Sequence, residues 1–157
     1  LGIAYFNRYR SEAPQKLEQV ADRSILKIYP FDKDNPLDFS WLVKAVLNDL
    51  QKGVPRSEIA SAFHRTYAAM WCVELAKQAV RQKLSRVVLC GGVFQNKLLV
   101  DILMPMLRQL GLQPYLPASV PCNDAGIAVG QMAVTAAWIE QSMNHNDKRH
   151  ARVVVGL

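Results

Sequence analysis

Two short stretches of this chain carry residue types able to hold a charged ligand. Gly91-Gly92 follows an apolar run and precedes a helical pattern. Residues without a Cβ let backbone N–H groups approach an anion, and the positive end of a following helix adds to the attraction. The same pair reads equally well as a tight turn that needs positive φ. Asn96, a little further on, can turn its amide toward a base or ribose, or cap the next helix. In the second stretch, Asn123-Asp124-Ala125-Gly126, the Asp124 carboxylate suits a divalent cation or metal-bound phosphate. By residue type and position alone, a helix cap is its favoured role.

The other chemically capable residues point to bland roles. His64 stands alone in a helical pattern, where a hydrogen-bonded structural histidine is expected. His145 and His150 fall in a polar tail, so no two histidines share a metal-binding spacing and no metal is assigned to them. Cys72, Cys90 and Cys122 are far apart, with no CxxC pair and no even count to suggest a disulfide framework. Cys90 ends a buried run and is expected to pack as a small hydrophobe.

The elements that must position these residues form a strand, a helix and a strand. Arg86–Cys90 is apolar and β-branched, as a strand buried on both faces would be. A helix bearing Leu98, Leu99, Ile102, Leu103, Met106 and Leu107 ends at Gly111, and Leu112–Leu116 is a second strand. This order predicts a right-handed crossover and a parallel sheet, with ligands bound beyond the carboxyl ends of the strands. Those ends are Gly91-Gly92 and the loop Pro117–Asp124.

Ahead of this unit, Leu1–Asp22 reads as a loop and then a helix carrying Leu17, Val20 and Ala21, and Ile25–Tyr29 alternates like a short strand. Asp38 or Ser40 is placed to cap a helix with Leu42, Val43, Val46, Leu47 and Leu50, ended by Gly53. Pro55 and Ser57 open the longest helix, whose stripe from Ile59 to Val80 is predicted core. After the second strand, Ala125 to about Gln141 is a helix of small residues suited to close packing. Ser142–Arg149 is expected to fray, and Val153-Val154-Val155 has no evident place in the fold.

The chain has 157 residues, half of them apolar, enough for one domain with a sizeable core and too few for two. The division expected is a folded unit over 1–141 and a partly disordered polar tail over 142–157. Lys and Arg number 19 against 13 Asp and Glu, a net charge of +6 that favours anionic ligands. The basic residues are scattered without aromatic interleaving, which disfavours a nucleic-acid binder. No stretch approaches the ~20 apolar residues of a membrane helix, and no leader pattern opens the chain, so a cytoplasmic protein with no membrane association is expected. A chain opening on Leu1 rather than Met reads as a piece of something longer.

Taken in order, the motifs resemble a known family. Val88-Leu-Cys-Gly-Gly-Val-Phe-Gln-Asn-Lys-Leu-Leu99 is similar to the strand-GGVFQN-helix signature of the HypF carbamoyltransferases of hydrogenase maturation. Pro121-Cys-Asn-Asp-Ala-Gly-Ile-Ala-Val-Gly-Gln131 resembles their P-x-N-D-G-G-x-A-x-G-Q loop, and Ile59-Ala-Ser-Ala-Phe-His-Arg-Thr66 their Phe-His-Arg helix. Tyr9-Arg-Ser-Glu-Ala-Pro-Gln-Lys-Leu-Glu18 is similar to their Y-E-G-E-A-P/A segment. The resemblance covers about Leu1 to Ala137. It implies an α/β fold, the C-terminal lobe of an actin-like ATPase (ASKHA, RNase H-like) with added helices.

It also implies a function. The enzyme is a transferase that passes a carbamoyl group from an ATP-derived carbamoyl-adenylate to a cysteine thiol of the partner protein HypE, during nickel-iron hydrogenase maturation. Carried over by position, Gly91 and Gly92 would line the phosphate, and Asn96 with Ser11 and Glu12 would contact the nucleoside. Asp124 would be a ligand of a divalent metal shared with a missing lobe, a role that replaces the capping preference. Arg10 and Ser11 stand where the family has Glu and Gly, and Ala125 replaces the first Gly after the Asp. The paired histidines of the family's metal site and its acylphosphatase-like, zinc-finger and adenylate-forming modules have no counterpart here. The chain alone is therefore expected to be inactive. Its uncovered inter-lobe face predicts self-association. The alternative reading is a non-catalytic, truncated or degenerate relative that acts as a protein-interaction module.

Overall fold

The computed structural model describes residues 1–9 and 11–144. Along the chain run α1 (Glu12–Val20), α2 (Ser40–Gln51), α3 (Arg56–Gln82), β1 (Arg86–Val88), α4 (Lys97–Gln109), β2 (Gln113–Tyr115) and α5 (Ile127–Asn144). Short 3₁₀ turns at Gly92–Gln95 and Asp124–Gly126 lead into α4 and α5.

The central piece is α3. Pro55 sits at its N-terminal edge, where a missing N–H costs nothing, and Ile59, Ala60, Ser61 and Ala62 are buried in succession. Four consecutive buried residues cover every side of a helix, so α3 is packed around rather than against in its early turns. One side meets α4 and the strands in a cluster of Ala68, Cys72, Leu89, Leu99, Leu103, Leu107 and Leu112. Another meets α2 and the segment before it through Tyr29, Leu42, Ala62 and Met70. Each fully buried leucine contributes about 1.5–3 kcal/mol.

The strand–helix–strand unit forms as expected. β1 and β2 pair in parallel with Val88 opposite Tyr115, and Leu98, Leu99, Leu103 and Leu107 carry the buried stripe of α4. Gly53 and Gly111, both at positive φ, end α2 and α4 as their sequence positions suggest.

Several expectations are corrected. Ile25–Tyr29 is extended but pairs with no strand. Its backbone is served by α3 side chains, with Tyr29 N–H donating to Thr66 Oγ1 at 2.8 Å and Arg65 Nε to the Ile25 carbonyl. β1 is not buried on both faces, because the described sheet has two strands and Val88 stays 67% exposed. Cys90, just past β1, is exposed rather than packed. The predicted stripes run too far, since Val43 and Leu47 on α2 and Val80 on α3 face solvent. α5 makes no extensive contact with another long element among the described residues, and Ile127, Val129, Met132, Val134, Trp138 and Ile139 along it are exposed. It runs to Asn144, and His145, His150 and Val153–Val155 lie outside the described residues. No described helix is long and apolar enough to cross a membrane.

Candidate functional site

Both motif loops emerge at the carboxyl ends of the parallel strands and meet there. Gly91 N–H donates to the Cys122 carbonyl, tying the Gly-Gly turn to the loop that carries Asp124. Gly91 has φ 109°, a backbone state open to glycine and costly for other residues, so the tight-turn role is real. Its N–H is already engaged. Gly92 opens a 3₁₀ turn, whose first N–H groups have no partner inside the turn.

Asn96 is held from two directions. Its Oδ1 accepts from Leu99 N–H at 2.8 Å, capping α4, and its Nδ2 lies 2.9 Å from His64 Nε2. His64 is buried, and its Nδ1 sits 2.7 Å from the Ala60 carbonyl. A carbonyl can only accept, so Nδ1 carries the proton and Nε2 receives the Asn96 amide. Burial pushes the His64 pKa below its ordinary 6.5, which keeps the ring neutral as this arrangement demands. The expected structural histidine is thus also the clamp on Asn96. The pair is 32 residues apart, and only the joint presence of Phe-His-Arg and GGVFQN could have signalled it. Phe63 and Arg65 have their own tasks, stacking on Tyr67 and holding the 23–25 backbone.

Glu12 is 1% exposed at the start of α1. Its Oε1 accepts from Arg8 and from Lys16 at 2.9 Å, and its Oε2 from the Arg8 backbone N–H. That N–H, followed by the Lys16 and Arg8 side chains, holds the carboxyl down at about 2. A depressed folded-state pKa means stability fully present above about 4.5 and lost as pH falls through about 2. Acid titration of the chain is expected to show a loss in that window that Glu12→Gln lacks; superimposable profiles would contradict it. Asn7 caps the same helix, its Oδ1 accepting from Ala13 N–H.

Ser11, where the family has Gly, adopts φ 75°. A side chain in this region costs about 1 kcal/mol, partly offset by the larger entropy that glycine would lose on folding. Ser11→Gly is expected to stabilise the chain by about 0.5 kcal/mol in urea unfolding, and a loss of stability would refute the strain. Arg10 lies outside the described residues. Ala125 has no such problem: its φ is not positive, and its N–H donates to Asn123 Oδ1. The cap of this turn is therefore Asn123, and Asp124 stands exposed beside it.

A cavity of about 460 Å³ gathers part of this set. Leu1–Ala4, Ala13, Pro14 and Leu17 of α1, Phe63, His64 and Tyr67 of α3, and Val93, Asn96 and Leu99 line it. Its wall is mostly apolar with Asn96 and His64 as polar points, the composition of a small-molecule pocket. The far end of α1 is tied to α4 by Glu18 Oε1, which accepts from Leu98 N–H. Ser11 and Glu12 sit about 9 Å further along the helix. Asn96 thus lines the cavity, Ser11 and Glu12 flank its α1 wall, and Gly91, Gly92 and Asp124 form a second group at the strand ends.

The described residues do not by themselves fit a metal. They contain no group of three His, Cys, Asp or Glu side chains able to hold one, and Asp124 would supply a single ligand.

Residues 1–131 match the family described as Carbamoyltransferase, Kae1-like Domain, second subdomain. The chain is 33% identical over 135 residues to the Carbamoyltransferase HypF of Rhizobium leguminosarum bv. viciae, covering 84% of this chain and 17% of that protein. It is 30% identical over 146 residues to a Carbamoyltransferase HypF homolog of Cupriavidus necator, covering 87% of this chain and 37% of the relative. The crystal structure of full-length HypF in the phosphate- and nucleotide-bound form superposes with a TM-score of 0.76 at 26% identity, over 88% of this chain and 19% of that one. The chain thus spans well under half the length of these relatives. The likeness bears out the expected α/β lobe of actin-like ATPase type, here mainly helical with a small sheet. The chain belongs to the second subdomain of the Kae1-like carbamoyltransferase domain, in its HypF-type branch.

Proposed function

We propose that this chain is the nucleotide-holding part of a carbamoyltransferase of the HypF type, working with further domains to move a carbamoyl group from a carbamoyl-adenylate to a cysteine thiol of a HypE-like acceptor. The observation that carries the reading is the hydrogen bond from Gly91 N–H to the Cys122 carbonyl, which brings the Gly-Gly and Asn-Asp motif segments together where a parallel sheet offers its ligand site. A relative of the same fold holds nucleotide and phosphate.

In this reading the 460 Å³ cavity takes the nucleoside against Asn96. With one Nδ2 hydrogen donated to His64 and Oδ1 accepting from Leu99 N–H, Asn96 keeps one N–H to donate to a ligand. Ser11 reaches the ligand from the rim. Glu12 acts chiefly by fastening the N-terminal segment that forms one wall, since its oxygens are taken by Arg8 and Lys16. Phosphate is served by the Gly92 amide more than by that of Gly91. Asp124 would contribute one ligand to a metal whose other ligands come from outside the described residues. The exposed face of α5 is the surface by which the rest of the enzyme would be held, and by which the isolated chain would self-associate.

The test is a thermal-shift titration with ATP and AMP, with and without divalent cation, on this chain and on Asp124→Ala. At ten times its Kd, a ligand bound only to the folded form is expected to raise the Tm by about 3–6 °C. The rise should shrink in Asp124→Ala when cation is present. No shift in either protein would favour the interaction-module reading, which the prior engagement of Glu12 and the bare face of α5 support.

A further inference from the structure

Three cysteines are described, and they differ sharply in access. Cys72 is buried in the α3–α4 cluster, where burial pushes its thiol up to about 11 and leaves it inert. Cys90 is exposed and Cys122 half-buried. These two follow different strands and are far apart in sequence, yet the Gly91 N–H to Cys122 carbonyl bond joins their backbones at 2.5 Å. Each Cα is two covalent bonds from one end of that hydrogen bond, so the two Cα atoms cannot be more than about 7 Å apart. Disulfides span Cα separations of about 4.4–6.8 Å.

We propose that Cys90 and Cys122 are a reversible thiol pair that bridges the Gly-Gly turn to the loop carrying Asp124. A thiolate of one attacks a sulfur of a small-molecule disulfide, forming a mixed disulfide and releasing one small thiol. The thiolate of the other then attacks the protein-side sulfur and releases the second. The chain gives up two protons and two electrons, and the small-molecule disulfide is reduced to two thiols. The bridge fixes the separation of two turns that a single backbone hydrogen bond otherwise sets. It closes a loop of some thirty residues, which makes the oxidised chain the more stable form.

The test is equilibration of the whole chain in buffers of oxidised and reduced glutathione. The expected result is a fall from three thiols to one on titration in denaturant, a mass lower by two hydrogens, and a proteolytic fragment in which Cys90 and Cys122 are linked. The Tm should rise by roughly 5–10 °C, reversed by excess reduced thiol. Cys90→Ser and Cys122→Ser should each lose the link and carry a glutathione on the surviving cysteine. The bridge should also form at least about tenfold more readily in the folded chain than in urea, the mark of thiols held near each other by the fold. Glutathione on the native chain without a bridge, links between chains only, no reaction, or equal bridging in urea would each overturn the proposal.

Discussion

His64→Ala is expected to destabilise the chain by about 3 kcal/mol, a fall in Tm of about 6–12 °C. The ring is buried, and its loss leaves a hole beside the α3–α4 contact while removing the acceptor for Asn96 Nδ2. Because Asn96 also caps α4, the damage passes to the first turn of that helix and to the Gly-Gly turn before it. His64→Gln, which keeps an acceptor, should recover part of the loss. Urea unfolding with unchanged midpoints in His64→Ala would show that the clamp is not what holds the turn. The pH dependence has a definite sign. A histidine whose folded pKa lies below 6.5 contributes stability that is full above 6.5 and is lost as pH falls toward the lowered value, because the unfolded chain takes up the proton first. His64→Gln should flatten that slope.

Gly126→Ala is expected to open the turn that carries Asp124. A Cβ at Gly126 would sit 2.4 Å from the Pro121 carbonyl oxygen and 3.1 Å from Val120 Cγ1, so backbone must move. Forcing such an overlap costs about 1–3 kcal/mol. Its φ is not positive, so only space demands glycine here. The bond from Gly126 N–H to the Asn123 carbonyl, at 2.9 Å, is the first to give way. Amide hydrogen exchange at Gly126 and Gly91 should accelerate at least about tenfold, and nucleotide-dependent stabilisation should fall with it. Unchanged exchange at both amides would mean that the turn accommodates the methyl group. Ala125→Gly, at a position with no crowding argument, should leave both amides as they are.

Legibility followed the range of the interactions. The helix α4 was readable because its stripe, its stop at Gly111 and its partner strands all lie within some thirty residues. The parallel pairing followed from element order alone. Ile25–Tyr29 was misread because alternation does not reveal whether a neighbouring strand exists, and here Thr66 and Arg65 supply the hydrogen bonds that a strand would have. Cys90 and Val88 were placed inside because an apolar run predicts a covered sheet, and the described sheet has nothing over that face. In the site, Gly91 and Asn96 were each given two roles by residue type. The structural one is seen in both cases, and it leaves room for the proposed ligand role. Glu12 shows the limit best: Lys16 four residues on is a legible helix pair, but nothing in the sequence betrays that Arg8, ahead of the helix, closes over the same carboxylate and that it is buried.

Packing on every side of its early turns gives α3 a particular standing in the history of such chains. A helix with one solvated face can accumulate substitutions there without consequence, but Ile59 through Ala62 leave that helix no neutral flank over its first turns. Drift must then collect elsewhere, as in the exposed stretch Asp32–Asn35 before α2. The Phe-His-Arg segment follows directly on this enclosed stretch, so packing alone constrains it. Related sequences in which α3 varied as freely as that stretch would contradict this.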